Sequence, residues 1–299
     1  MIVITTPTGQ IGSQLVTRLL DDEAPVRVIV RDPSRLDPGV RERVEIVVGS
    51  HDDPAVLDKA LAGAQALFWL VPPDLRASSA EAYYLNFATA GAEAIRRHGV
   101  GHVVGVTSAG HGWPKPAGLL SAAFAMDAEL ERSGAAYRAL SMPFYMENLD
   151  RQFDAIREQG VFSLTYAADR PLAVVATRDI AQTAAELLAN RSWTGQQHLP
   201  VFGPDRLTPD QMAEAMSDVL GRPIAYRQTS IEDFVSGMAA RGSSEQAIRD
   251  MTEMNIAQDE GLYDADWVAA TPTATGFRTW FEDAFQATES EPRDTKPTR

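Results

Sequence analysis

The sequence predicts an α/β fold, a doubly wound parallel sheet followed by a smaller α/β unit. Three observations carry that reading. The first half alternates six strand-type runs with amphipathic helix patterns. Those strand runs are apolar almost throughout, as strands covered by helices on both faces must be. The first run breaks into the glycine turn Pro7-Thr8-Gly9-Gln10-Ile11-Gly12, which opens directly into a helix pattern.

In chain order, strands are expected over 2–6, 26–31, 44–49, 66–71, 102–107 and 137–142. Helices are expected between them over 10–21, 54–62, 78–97 and 119–133. On the first helix Ile11, Leu15, Val16, Leu19 and Leu20 recur at helical spacing. Right-handed crossovers turn this alternation into a doubly wound sheet. Gly134, behind Arg132 and Ser133, is a helix stop. After Met142 the pattern changes, and Pro143-Phe144-Tyr145-Met146-Glu147-Asn148 is expected to leave the sheet and enter a helix.

Further on, a helix is expected over 178–189 behind Thr177 as N-cap, then a strand over 195–202 ended by Gly203-Pro204. Thr208-Pro209-Asp210-Gln211 starts a helix with Pro at its first position, and Gly221 ends it. A strand over 224–228, a helix from Ser230-Ile231-Glu232-Asp233, and helices over 245–261 and 276–285 follow. This divides the chain into a dinucleotide-binding domain over 1–150 and a smaller domain over 151–285, interleaved with the first at the sheet edge. Residues 286–299, polar and carrying Pro292 and Pro297, are expected to be a disordered tail.

Composition narrows the function classes. With 41 Asp and Glu against 27 Lys and Arg, the net charge is −14, which repels nucleic acid phosphates. There is no cysteine, so disulfides, thiolate catalysis and thiolate metal sites are excluded. His51, His98, His102, His111 and His198 show no metal-ligand spacing, and no metal is expected. No apolar run reaches membrane-spanning length, and Met1 leads straight into a strand. The expectation is therefore a cytoplasmic protein with neither a membrane span nor a signal peptide.

The glycine turn points to a dinucleotide. A strand, a glycine turn and a helix N-terminus together aim backbone N–H groups at a pyrophosphate. Gly9 admits the cofactor to the backbone, and Gly12 lets the helix pack on the strand. Thr6 stands where G-x-x-G-x-x-G has its first glycine. Thr6, Thr8, Gly9, Gln10, Ile11 and Gly12 form the candidate cradle. At the end of the second strand an acidic residue would bind the ribose hydroxyl of NAD, whereas an Arg pairs with the 2′-phosphate of NADP. Arg31 favours NADP; Asp32 beside it keeps NAD open, and a solvated turn is the plain alternative.

Several segments together resemble the NmrA-like family, an atypical branch of the short-chain dehydrogenase/reductase superfamily. They are Thr8-Gly9-Gln10-Ile11-Gly12, Val30-Arg31-Asp32-Pro33, Pro143 to Leu149, and Gly203-Pro204 through Leu220-Gly221-Arg222-Pro223. The resemblance covers roughly residues 1 to 285. It implies a Rossmann-like N-terminal domain and a small C-terminal domain, with nicotinamide and substrate in the cleft between them. It implies either an oxidoreductase or a non-catalytic NAD(P)-sensing regulator. Similar members carry Gly-Asp against the adenine; here Gly49-Ser50 puts Ser50 there. Val71 and Pro72 would line the nicotinamide ribose, and Pro143 is assigned to the cofactor as well.

In the main branch of that superfamily a Ser and a Tyr-x-x-x-Lys handle the proton. Ser108 matches the Ser, but the helix over 119–133 has neither Tyr nor Lys. The candidate substitutes are Tyr145, Asn148 and His111, each with an ordinary packing or loop role as the alternative. Trp113, Phe124, Met126, Phe144, Tyr145, Met146 and Tyr166 are expected to wall a pocket for a small, flat, apolar substrate, such as a quinone or aromatic polyketide. Tyr83, Tyr84, Asn86 and Phe87 either flank the cofactor or pack the core. The leading expectation is an NAD(P)-dependent oxidoreductase. A sensor and a polyketide-tailoring monooxygenase-type enzyme are the alternatives, and oligomerisation is left open.

Overall fold

In the computed structural model, which describes residues 1–290, the first half supplies six strands and five helices. These are β1 (Ile2–Ile4), α1 (Gln10–Asp21), β2 (Val26–Val30), α2 (Pro38–Arg41), β3 (Glu45–Val48), α3 (Pro54–Leu61), β4 (Ala66–Trp69), α4 (Ala80–His98), β5 (His102–Ser108), α5 (Leu119–Glu131) and β6 (Ala136–Met142). The second half begins with β7 (Phe144–Tyr145), α6 (Phe153–Gln159), β8 (Val161–Leu164), β9 (Leu172–Val175) and α7 (Thr177–Ala189). It continues with β10 (Gln196–Phe202), β11 (Arg206–Leu207), α8 (Pro209–Leu220) and β12 (Ala225–Gln228). Helices α9 (Ile231–Ala240), α10 (Glu245–Asp259) and α11 (Asp264–Ala269), then β13 (Thr271–Pro272) and α12 (Phe277–Ser290), close the described chain.

The main sheet runs β13-β10-β6-β5-β4-β1-β2-β3, and every pair in it is parallel. The side-chain alternation of β1 explains its burial on both faces. Ile2 and Ile4 pack with Leu15, Leu19, Ile180 and Leu188 of α1 and α7. Val3 packs on the opposite face with residues of α3, α4 and α5. The strand order reverses between β1 and β4, so a crevice opens at their carboxyl ends.

The second half is interleaved with the first: it lends β10 and β13 to the main sheet and α7 to one face. Its own core joins Met146, Phe153, Phe162, Met212, Phe277 and Phe281. Local signals start its helices. Thr208 and Gln211 form a reciprocal capping box on α8.

Three expectations change. The chain leaves the main sheet after Met142 but forms β7 first, pairing Phe144 with Val174 and Tyr145 with Val175. A 3₁₀ stretch, Met146–Gln152, then leads to α6. Thr177 is the first residue of α7 rather than its cap; its N–H donates to Glu147 Oε1 at 2.9 Å. Helix α12 runs to Ser290, through the first residues of the expected tail, and 291–299 lie outside the described residues. Among the described residues no helix is long and apolar enough to cross a membrane.

Candidate active site

The glycine turn lies at the crevice between β1 and β4. Helix α1 starts behind Gly9 with no side-chain cap and no acidic residue in its first turn. Its first N–H groups and its dipole are thus left for an anion. Gly12 has a steric reason: a Cβ there would lie 2.1 Å from the Thr6 carbonyl oxygen. That same oxygen accepts the Gly9 N–H at 3.1 Å. Thr6 adopts φ 50°, the left-handed region that glycine enters without cost. Thr6 and Thr8 are half-buried, Gly9 and Gln10 exposed, and Ile11 is buried in the core. The Gln10 side-chain amide donates to Asp150 Oδ2 at 3.0 Å.

Beyond β2, Asp32 is occupied. Its Oδ1 accepts the Ser34 N–H at 3.0 Å and the Ser34 hydroxyl at 2.6 Å, which holds its carboxyl below the usual range. Arg31 is exposed and makes no hydrogen bond or ion pair among the described residues; its charge acts on His51 and Tyr83. Ser50 is half-buried, and the His51 beside it is buried between Trp69 and Phe87. Val71 is buried with the core under α4, while Pro72 is exposed and its carbonyl accepts from the Tyr83 hydroxyl at 3.3 Å.

At the carboxyl end of β5 the structure supplies what the α5 sequence lacks. The Tyr263 hydroxyl lies beside Ser108, which favours its ionised form. Gln258 Nε2 donates to Tyr263 at 2.5 Å, and Tyr166 donates to Gln258 Oε1. Ser108 Oγ in turn donates to the Ala109 carbonyl at 2.9 Å. Burial pushes the Tyr263 hydroxyl up in pKa, and Ser108 and Gln258 pull it partly back. Tyr145, half-buried on β7, senses Tyr263, Tyr84 and Glu147; burial and those neighbours raise its pKa too.

Tyr263 was not among the sequence candidates. It lies between α10 and α11, where no spacing to Ser108 is conserved by helix or strand periodicity.

The other candidates scatter. His111 does not stand free at the sheet edge: it pairs with Asp127 on α5 and is in tilted contact with His198. Asn148 is exposed on the 3₁₀ stretch. Trp113 and Phe124 pack on a cluster with Tyr263, Leu262 and Phe202. Phe144, Met146 and Tyr166 instead belong to the core of the second half, with Met146 wholly buried. Met126 lies in the core beneath α4 and α5. With Tyr145 against the core under α1 and α7, the expected aromatic wall is divided between four clusters. Pro143 is buried at the exit of β6.

With this geometry in place, comparison with known proteins is informative. The model of the NmrA-like family matches residues 1–282. The chain belongs to the NmrA-like family. An NAD(P)H azoreductase of Xenophilus azovorans is 28% identical over 256 residues, covering 85% of this chain and 86% of the relative. A (4-alkanoyl-5-oxo-2,5-dihydrofuran-3-yl)methyl phosphate reductase of Streptomyces griseus subsp. griseus is 31% identical over 243 residues, 81% of each chain. Among solved structures, an NADPH-dependent quinone oxidoreductase of Escherichia coli in complex with NADPH superposes with a TM-score of 0.76. It is 21% identical and covers 97% of this chain and 100% of its own. The family assignment agrees with the Rossmann-like strand order.

Proposed function

We propose that this protein is an NAD(P)H-dependent reductase of flat, conjugated acceptors, such as quinones and azo compounds, with NADPH favoured over NADH. The observation that carries the reading is Tyr263, which accepts from Gln258 and lies beside Ser108 at the carboxyl end of β5, in the sheet whose switch point holds an uncapped α1. The names of the relatives support the substrate class: one reduces azo compounds and one, by fold, quinones.

The residues fit the cofactor. Gly9 leaves backbone open, the α1 N-terminus carries no competing carboxylate, and Gly12 lets the helix start close to β1. Ile11 and Gly12 place the helix, while Thr6, Thr8, Gly9 and Gln10 surround the pyrophosphate position. Arg31 is available for a 2′-phosphate, and Asp32 is committed to Ser34. Ser50 and the Val71-Pro72 segment follow β3 and β4 on either side of the same crevice. When bound, the nicotinamide supplies the hydride.

What remains for the chain is one proton. A quinone or azo group that gains a hydride needs one proton to become a hydroquinone or a hydrazo compound. Tyr263 holds that proton, because burial keeps its phenol neutral at physiological pH. Gln258 donates to the phenol oxygen and therefore stabilises the charge left after transfer. Ser108 beside it acts in the same sense on that charge. Tyr145, whose hydroxyl makes no hydrogen bond among the described residues, is the second group placed to touch a bound acceptor.

The test is a fluorescence titration with NADPH and NADH, followed by turnover of a quinone and azo-dye panel. Tyr263→Phe is expected to lower kcat on azo dyes about 100-fold, the usual scale for losing a general acid, with NADPH affinity unchanged. Absence of NAD(P)H binding up to millimolar concentration overturns the reading. Unchanged turnover in Tyr263→Phe removes the proton assignment alone.

A further inference from the structure

Four side chains that the proposed reaction does not use converge on the α5 face of the sheet. His111 places Nε2 3.0 Å from Asp127 Oδ2. His198, on β10, places Nε2 3.2 Å from Glu131 Oε1. Asp127 and Glu131 are one turn apart on α5 and so face the same way. The two imidazoles are in tilted contact, with centroids 3.7 Å apart and planes at 43°. Ligand atoms of His111, Asp127 and His198 all lie within 4.8 Å of one another, and Glu131 adjoins that group through His198. Asp127 is wholly buried, and its second oxygen accepts from Tyr137 at 2.5 Å. His198 Nδ1 is buried without a hydrogen-bond partner among the described residues.

We propose that His111, Asp127 and His198, with Glu131 as fourth donor, bind one divalent transition-metal cation of the zinc class. A tetrahedral ion with bonds of about 2.0–2.2 Å to nitrogen and oxygen holds its ligands a little over 3 Å apart. The spacings of 3.0 and 3.2 Å are already close to that. The widest spacing among the three, within 4.8 Å, has to shorten further on binding, and His198, 33% exposed, is the least enclosed of them. One dication would balance the charge of the two carboxylates, Asp127 and Glu131. Two nitrogens and two oxygens, without sulfur, select first-row divalent ions over calcium or magnesium. Tyr137 supplies the outer hydrogen bond that orients the buried carboxylate. Four protein donors close the coordination sphere, as in structural sites. The ion therefore pins the loop behind Ser108 to α5 and to β10, the strand lent by the second half.

The experiment uses the full chain, stripped with a chelator and titrated with zinc chloride by calorimetry at pH 7.5. One ion per chain, with micromolar or tighter affinity and a raised Tm, is expected. His198→Gln and His111→Gln should each weaken binding by about 100-fold or more, above what an outer-shell partner contributes. No saturable binding, or undiminished affinity in both variants, overturns the proposal. If a variant fails to fold, cobalt(II) added to the unaltered protein decides. Tetrahedral absorption bands support the site, and their absence overturns it.

Discussion

Thr6 shows how one residue sets the geometry of the turn. It is β-branched and held at φ 50°, a combination that costs about 1–3 kcal/mol. Its carbonyl faces both Gly9 and Gly12, so the strain is kept by a contact that leaves no room for a side chain at Gly12. Thr6→Gly should raise the unfolding free energy by about 1 kcal/mol, the relieved strain exceeding the extra chain entropy of glycine. Urea denaturation measures this, and a loss of stability would mean that the Thr6 side chain contributes more by packing than φ costs. Arg31 acts through charge. Arg31→Ala should weaken NADPH binding about 10- to 100-fold, the scale of a charge-assisted hydrogen bond, and leave NADH unchanged. Equal losses for both cofactors would place Arg31 elsewhere.

At the scale of elements, the segment between β3 and α3 carries a pH dependence. His51 is buried between Trp69 and Phe87, and its Nε2 lacks a partner. Burial brings its pKa down to about 4 from 6.5. Below pH 6.5 the unfolded chain takes up a proton that the folded chain refuses, so this contribution is lost as pH falls through 6.5 toward 4. Asp150 acts in the opposite sense. Burial and the neighbouring Glu147 raise it from 3.8 to about 6, so its contribution falls as pH rises from 3.8 to 6. His51→Phe should therefore gain stability over the unaltered protein progressively below pH 6.5. Thermal unfolding at pH 7, 6 and 5 reads the difference; a difference constant with pH contradicts the assignment.

Element boundaries show what local patterns convey. Helix α1, Gln10–Asp21, spans the segment expected from its glycine turn and apolar spacing, because both signals are local. The two-residue strand β7 was not legible, since Phe144 and Tyr145 are extended only because Val174 and Val175 lie beside them. The cap of α7 was misplaced for a similar reason: the group that bonds its first N–H is Glu147, thirty residues away.

Over the whole molecule, the segment from α10 to α11 crosses the loops at the carboxyl edge of the sheet. Ser244 donates from its N–H to Leu75 at 2.9 Å and from Oγ to Ala77 at 2.6 Å. Lys115 pairs with Glu260 at 2.7 Å, and the Gly110 N–H donates to Asp266 at 2.6 Å. Gly118 permits this approach: it has φ 54°, and a Cβ there would lie 1.8 Å from the Asp250 carbonyl oxygen. Gly118→Ala should displace α10 and cost about 3 kcal/mol, combining backbone strain with overpacking. It should also lower turnover by moving Tyr263 from Ser108, while NADPH affinity, set by the first half, changes far less. Full activity with normal stability in this variant would show that Tyr263 is not positioned by this crossing.

The sequence by itself determined the parallel sheet, its doubly wound order and the glycine turn at its switch point. Apolar runs, helical spacing and the room left by a missing Cβ are properties of contiguous residues, and they persist whatever the rest of the chain does. Tertiary structure alone decided that β10, β13 and α7 belong to the first layer, that Tyr263 meets Ser108, and that His111 turns to Asp127 and His198. Those pairings join residues far apart in the chain, through contacts that no local period encodes.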